Sequence, residues 1–130
     1  MAHSAPRIAP LLSVRAGAAA VEFYRRAFGV EERFRIDDEN GAVVATLGLG
    51  DLEFWVADES PRDANFSPET LGGSTVRIIL YADDPDAAFD RAIKAGAREV
   101  WPVSDQHGWR IGRIEDPFGH HWEISKPPAV

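Results

Sequence analysis

The chain contains no cysteine, which removes disulfides, thiolate nucleophiles and sulfur-ligated metals from consideration. No stretch approaches the ~18 consecutive apolar residues of a membrane-spanning helix. Pro10 interrupts the only apolar segment near the start that resembles a leader, so a cytoplasmic location with no membrane partner is the expectation. Positive charge is scarce. Lys and Arg number 14 against 21 Asp and Glu, for a net charge of −7, and the longest basic run is the pair Arg25 and Arg26. Phosphate backbones require clustered cations, so nucleic acid is excluded as a partner. A negative field instead steers neutral or cationic small molecules. The chain also lacks a P-loop, a dinucleotide fingerprint and any Ser-His-Asp order.

What is present is a domain-sized chain of 130 residues, 45% apolar and 27% charged, the balance of a globular protein with a substantial core. Its pattern runs twice. An apolar strand from Ile8 to Val14 leads into an Ala-rich helix from about Gly17 to Phe28, stopped by Gly29. Strands follow from Glu31 to Ile36, from Ala42 to Leu49 and from Leu52 to Ala57, with Asn40-Gly41 marking the hairpin between the first two. The second copy opens with a strand from Val76 to Ala82. A helix from Asp86 to Ala95 follows, with Asp84 at its N-cap, Pro85 at its first position and Gly96 as its stop. Glu99 to Val103 and Arg110 to Glu115 then form a hairpin, and DPFGHHWEIS closes the unit from Asp116.

Corresponding residues lie a near-constant distance apart: 67 from Gly29 to Gly96, 68 from Val14 to Ala82 and 69 from Phe54 to Glu123. Such an offset marks one structural unit used twice. The units are residues 8–57 and 74–126 of a single compact domain, joined by a Pro-, Ser- and Asp-rich linker over 58–73. Residues 1–7, with His3, read as a frayed tail. The class is α+β, two βαβββ modules whose sheets together form a cup.

Helical spacing places Ala20, Val21, Tyr24 and Phe28 on one buried face, and Ala88, Phe89, Ala92 and Ile93 on the other helix's buried face. In the last strand, Trp122 and Ile124 suit packing under a helix, which sends His121 and Glu123 to the concave side. An ionised Glu123 there needs a partner. His121 beside Glu123 suggests a metal site completed by His107 from the hairpin, and Glu123 alone is the candidate general base. His120 faces away. Of four Trp, Trp55 and Trp122 occupy matching offsets and read as core. Trp101 and Trp109 read either as a ligand wall or as packing, and indole faces suit flat or cationic ligands. Phe66 in the linker is either a lid or a plug.

The duplicated βαβββ order, FYRRAFG after the first strand, ILYADDPDAAFDRAIKAGA from Ile79 and DPFGHHWEI at the end resemble the vicinal oxygen chelate superfamily over residues 8–126. Within it, the chain is most similar to the small glyoxalase/bleomycin-resistance-like, PhnB-like branch, whose outline PVSDQHGWRIG also follows. The resemblance implies metal ligands at Ala9, Phe54, Arg77 and Glu123, of which only Glu123 is a ligand type. It implies that Arg77 faces Glu123 across the site, a salt bridge standing in for the metal, either as a structural tie or as an anchor for a ligand. The expected function is a non-catalytic, antibiotic-sequestering type of binding without a metal cofactor, by a homodimer, with ligand contacts from Arg77, Glu123, His121, Trp101, Trp109, Phe54 and Phe66. The alternative is a metal-dependent lyase, isomerase or dioxygenase with displaced ligands.

Overall fold

Pro10 decides where the first strand starts. In the computed structural model, which describes residues 5–129, β1 spans Leu11–Val14 and not the run from Ile8. Proline has no N–H to give a ladder, but its carbonyl still accepts from Trp55 N at 2.8 Å. Residues 5–10 are exposed and without regular structure, and the remainder of the expected tail, including His3, lies outside the described residues.

Helix α1, Gly17–Phe28, buries Ala20, Val21, Tyr24 and Phe28 as the spacing predicts, and Phe23 and Ala27 besides. Gly29 ends it at φ 71°, a left-handed conformation that only glycine adopts cheaply, with its N–H on Arg25 O at 3.0 Å. Strands β2 (Glu31–Asp37), β3 (Val43–Leu49) and β4 (Leu52–Asp58) complete the first module. The expected linker is not featureless. It holds a short turn, Pro61–Asp63, and a one-turn helix α2, Pro68–Leu71, whose cap Ser67 accepts from Thr70 N at 3.2 Å.

The second module repeats the order: β5 (Arg77–Tyr81), α3 (Pro85–Ala95), β6 (Arg98–Gln106), β7 (Trp109–Glu115) and β8 (His121–Lys126). Asp84 caps α3 by accepting from Ala87 N at 3.1 Å. The hairpin expected to loop over 104–109 is tighter, a turn at His107 and Gly108 with φ 53° and 86°. Two successive positive-φ residues match the right-handed twist of the flanking strands, which therefore extend further into the turn.

Each module forms its own four-stranded sheet, ordered β1-β4-β3-β2 and β5-β8-β7-β6. In both, the module's first and last strands pair in parallel and the remaining pairs are antiparallel. The registers set the internal equivalence. Leu11 pairs with Trp55, and Ile79 with Glu123, so the counterpart of Glu123 is Trp55 and not Phe54.

The modules join through aromatics. Phe54 and Trp122, one from each sheet, lie 5.5 Å apart, both against Tyr24, and Phe28 lies 4.6 Å from Trp122. Beneath them Asp116 is buried. Its Oδ1 accepts from Phe118 N at 2.9 Å and His120 N at 3.0 Å. Its Oδ2 accepts from Trp122 Nε1 at 2.9 Å and from the Tyr24 hydroxyl. One carboxylate thus ties α1 of the first module to the β7–β8 turn of the second. Burial first, then the Asp116 charge and hydrogen bond, raise the Tyr24 hydroxyl well above its ordinary pKa. No helix among the described residues is long and apolar enough to cross a membrane.

Candidate functional site

Strand alternation gives each sheet one face under its helix and one open face. In β8 the helix-side residues are Trp122 and Ile124, both buried, so His121, Glu123 and Ser125 lie on the open face. The turn over 116–119 sets β7 opposite β8, with Arg113 beside Glu123 and Ile111 beside Ser125. Arg77 opens β5 on the same face, and Trp101 of β6 pairs with Arg113 from the other side.

Glu123 is the centre of this face. Its side chain is 11% exposed, and Arg77 Nε lies 2.7 Å from Oε1. Arg113 Nη2 donates to the same oxygen at 3.1 Å, while its guanidinium carbon stacks 4.4 Å from the centre of the Trp101 ring. A carboxylate with two guanidiniums on one oxygen is fixed in place. Three buried side-chain polar atoms in the described residues have no hydrogen-bond partner: Arg113 Nε, His121 Nδ1 and Ser125 Oγ. All three belong to adjacent positions of β7 and β8 around Glu123. Buried polar atoms are normally satisfied, and these three flank Glu123 along the two strands.

Several sequence expectations need correction. Phe54 does not face the cup: it packs in the inter-module core and lines an apolar cleft of about 200 Å³ with Phe28, Leu80 and Trp122. Trp55 is the reverse case, half-buried on the open face of the first module with its ring 6.0 Å from that of Phe34. A slip of one residue moves a side chain to the opposite face of a strand. Phe66 is 42% exposed in the linker, so it is not a fully buried plug. Trp101 and Trp109 both lie on the open face of the second module, but Trp109 is four positions along β7 from Arg113, roughly 13 Å of extended chain. His120 does turn away as expected, its Nε2 2.9 Å from Ser13 O.

The donors present do not suit the metal that the resemblance implies. The four corresponding positions hold Ala9, Trp55, Arg77 and Glu123, and one oxygen donor does not make a divalent site. Arg77 adds a fixed positive charge where the ion would bind. The displaced set of His121, Glu123 and His107 also fails. His107 sits in the β6–β7 turn, beyond the Arg110–Lys126 pair, whereas His121 begins β8 at the opposite end beside Glu115. No group of three or more His, Asp or Glu among the described residues is arranged to hold a metal. The residues do not fit one.

Arg113 escaped the sequence reading, and Ser125, although it alternates with His121 and Glu123, was not carried to the concave side with them. Alternation along Trp109, Ile111, Arg113 and Glu115, folded back across the DPFG turn, was the signal that places Arg113 opposite Glu123.

A family model described as a glyoxalase-like domain matches residues 11–125. An uncharacterised protein of Mycobacterium tuberculosis is 37% identical over 127 residues, covering 94% of this chain and 75% of that protein. One from Arabidopsis thaliana is 33% identical over 121 residues, covering 85% and 72%. Among solved structures, an Arabidopsis thaliana gene product has a TM-score of 0.72 at 29% identity, covering 95% of this chain and all of that one. TioX from a Micromonospora species scores 0.71 at 25% identity, covering 94% and 98%. A Burkholderia phytofirmans glyoxalase/bleomycin resistance protein/dioxygenase family enzyme scores 0.68 at 19% identity, covering 89% and 94%, a likeness of fold alone.

Proposed function

The chain belongs to the glyoxalase-like domain family, and from that premise we propose that it binds a small, flat-faced molecule on the open face of its second module without a metal. It holds the molecule stoichiometrically, in the manner of the superfamily's antibiotic-sequestering members. The observation that carries this reading is the guanidinium pair on Glu123, with Arg77 at 2.7 Å and Arg113 at 3.1 Å from the one carboxylate oxygen among the corresponding positions. A charged group that relatives commit to an ion is here committed to protein cations. The exposed face of Trp101 and the unpartnered atoms that flank Glu123 supply what a bound molecule needs, an apolar wall with a few fixed polar groups.

The site is completed by a second copy. The open face of the first module presents Leu11, Phe34, Ile36 and Val44 to solvent, an apolar sheet face that no element of its own chain covers among the described residues. Faces of this kind mark interaction surfaces, and a homodimer would lay it against the second module's open face.

Two measurements test the proposal. Purified protein dialysed against manganese, iron(II), nickel or zinc is expected to retain substoichiometric metal by elemental analysis. Titration of intrinsic Trp fluorescence with a panel of aromatic compounds is expected to saturate at one molecule per chain. Stoichiometric metal on Glu123, or a panel without any response, refutes the reading. Sedimentation at micromolar concentration is expected to give a dimer, and a monomer there removes the second copy from the site.

A further inference from the structure

We infer that the open face of the second module selects a flat molecule bearing a carboxylate, gripped by Arg77 and Arg113. The inference rests on the binding reading above and names its ligand class. The whole-chain charge of −7 points toward cations, but this face runs the other way. Arg77, Arg98 and Arg113 share it with Glu115 and Glu123, leaving an excess of positive charge. Distant surface charges are screened over about 8–10 Å at physiological salt, so the groups lining the face decide the sign a ligand meets.

Donors there outnumber acceptors. Arg77 is 56% exposed and approaches Glu123 through Nε, and its two terminal nitrogens make no hydrogen bond among the described residues. Arg113 donates from Nη2 alone, with Nε buried and unpartnered, and the buried Ser125 hydroxyl is unpartnered too. A guanidinium fork matches the two oxygens of a carboxylate in a way no ammonium or alcohol does. An amine entering the same place would meet one carboxylate already shared by two guanidiniums, and would be repelled by both. Trp101, 52% exposed and already carrying Arg113 at 4.4 Å, provides the surface for the attached ring.

The test uses three probes with one ring: 2-naphthoate, 2-naphthylmethanol and 2-naphthylmethylammonium. Each is titrated into the full chain while the four Trp indole N–H signals are followed by NMR. Trp122, whose indole donates to buried Asp116, reports the fold, and Trp101 reports the face. Naphthoate is expected to bind about tenfold more tightly than the alcohol, with the ammonium weakest. Arg77→Met should bring naphthoate down to the alcohol's affinity, and Arg77→Lys should restore part of the difference. Glu123→Gln frees both guanidiniums and is expected to tighten naphthoate about threefold, which a purely structural bridge does not predict. If Arg77→Met disturbs the Trp122 signal, Arg77→Lys and Glu123→Gln decide. Alcohol or ammonium binding as tightly as naphthoate, or variants leaving naphthoate affinity unchanged, overturns the carboxylate assignment and leaves the binding reading standing. No response to any probe at millimolar concentration overturns both.

Discussion

Replacing Tyr24 by Phe deletes one oxygen from the middle of the protein, and its effect follows from the Asp116 carboxylate it serves. Asp116 is buried and accepts four hydrogen bonds, two per oxygen. Tyr24→Phe leaves Oδ2 with the Trp122 indole alone. A hydrogen bond to a charged group contributes about 1.5–3 kcal/mol, and the aromatic packing is retained, so a loss of about 2 kcal/mol is expected. Asp116→Asn acts differently. Its amide oxygen can keep both backbone N–H groups, but its NH₂ then faces the indole N–H, donor against donor. That leaves a buried donor unsatisfied and costs about 2–4 kcal/mol. The assay is urea unfolding followed by Trp fluorescence at fixed protein concentration, because assembly would shift the midpoint. With a slope of about 1–3 kcal/mol/M, Tyr24→Phe should lower the midpoint by about 1 M at unchanged slope. The double variant should fall short of the sum of the two by about 1 kcal/mol or more, since both remove the same contact. A Tyr24→Phe protein within about 0.5 kcal/mol of the parent would refute the view that this contact ties the modules together.

Alkaline titration probes the same residue by another route. The folded-state pKa of Tyr24 is raised, so its contribution is fully present below about pH 10 and declines above it, where the unfolded chain ionises first; Tyr24→Phe should lose less stability than the parent between pH 9 and 11 in the same urea assay. The one-residue register correction predicts unequal effects in β4: Phe54→Ala should cost about 3–5 kcal/mol, while Trp55→Ala, on the open face, should cost less than about half of that, and similar costs would count against the register. Gly112→Ala should destabilise by about 1–3 kcal/mol, because the added methyl would lie 2.8 Å from Val103 Cγ2 and 3.0 Å from the Phe89 ring; an unchanged thermal midpoint would show that α3 has room to retreat.

Periodic and local features were legible in the residues alone. The repeated βαβββ order, the stop at Gly29, the Asp84 cap and the buried stripes of α1 and α3 follow from spacing and backbone chemistry within a few residues. So did the placing of His121 and Glu123 opposite Trp122, because alternation in one strand needs no partner. Features that depend on pairing between distant strands emerged with the folded chain. The registers of β1 with β4 and β5 with β8 exchanged the faces assigned to Phe54 and Trp55, since one residue of slip inverts a strand. The β7–β8 register brought Arg113 to Glu123, and the docking of the modules turned Asp116 from a turn residue into the acceptor that joins them. Charge behaved the same way. Composition records a net value for the whole chain, but folding chose which few guanidiniums and carboxylates share one face, and only over those short distances does electrostatics select a ligand.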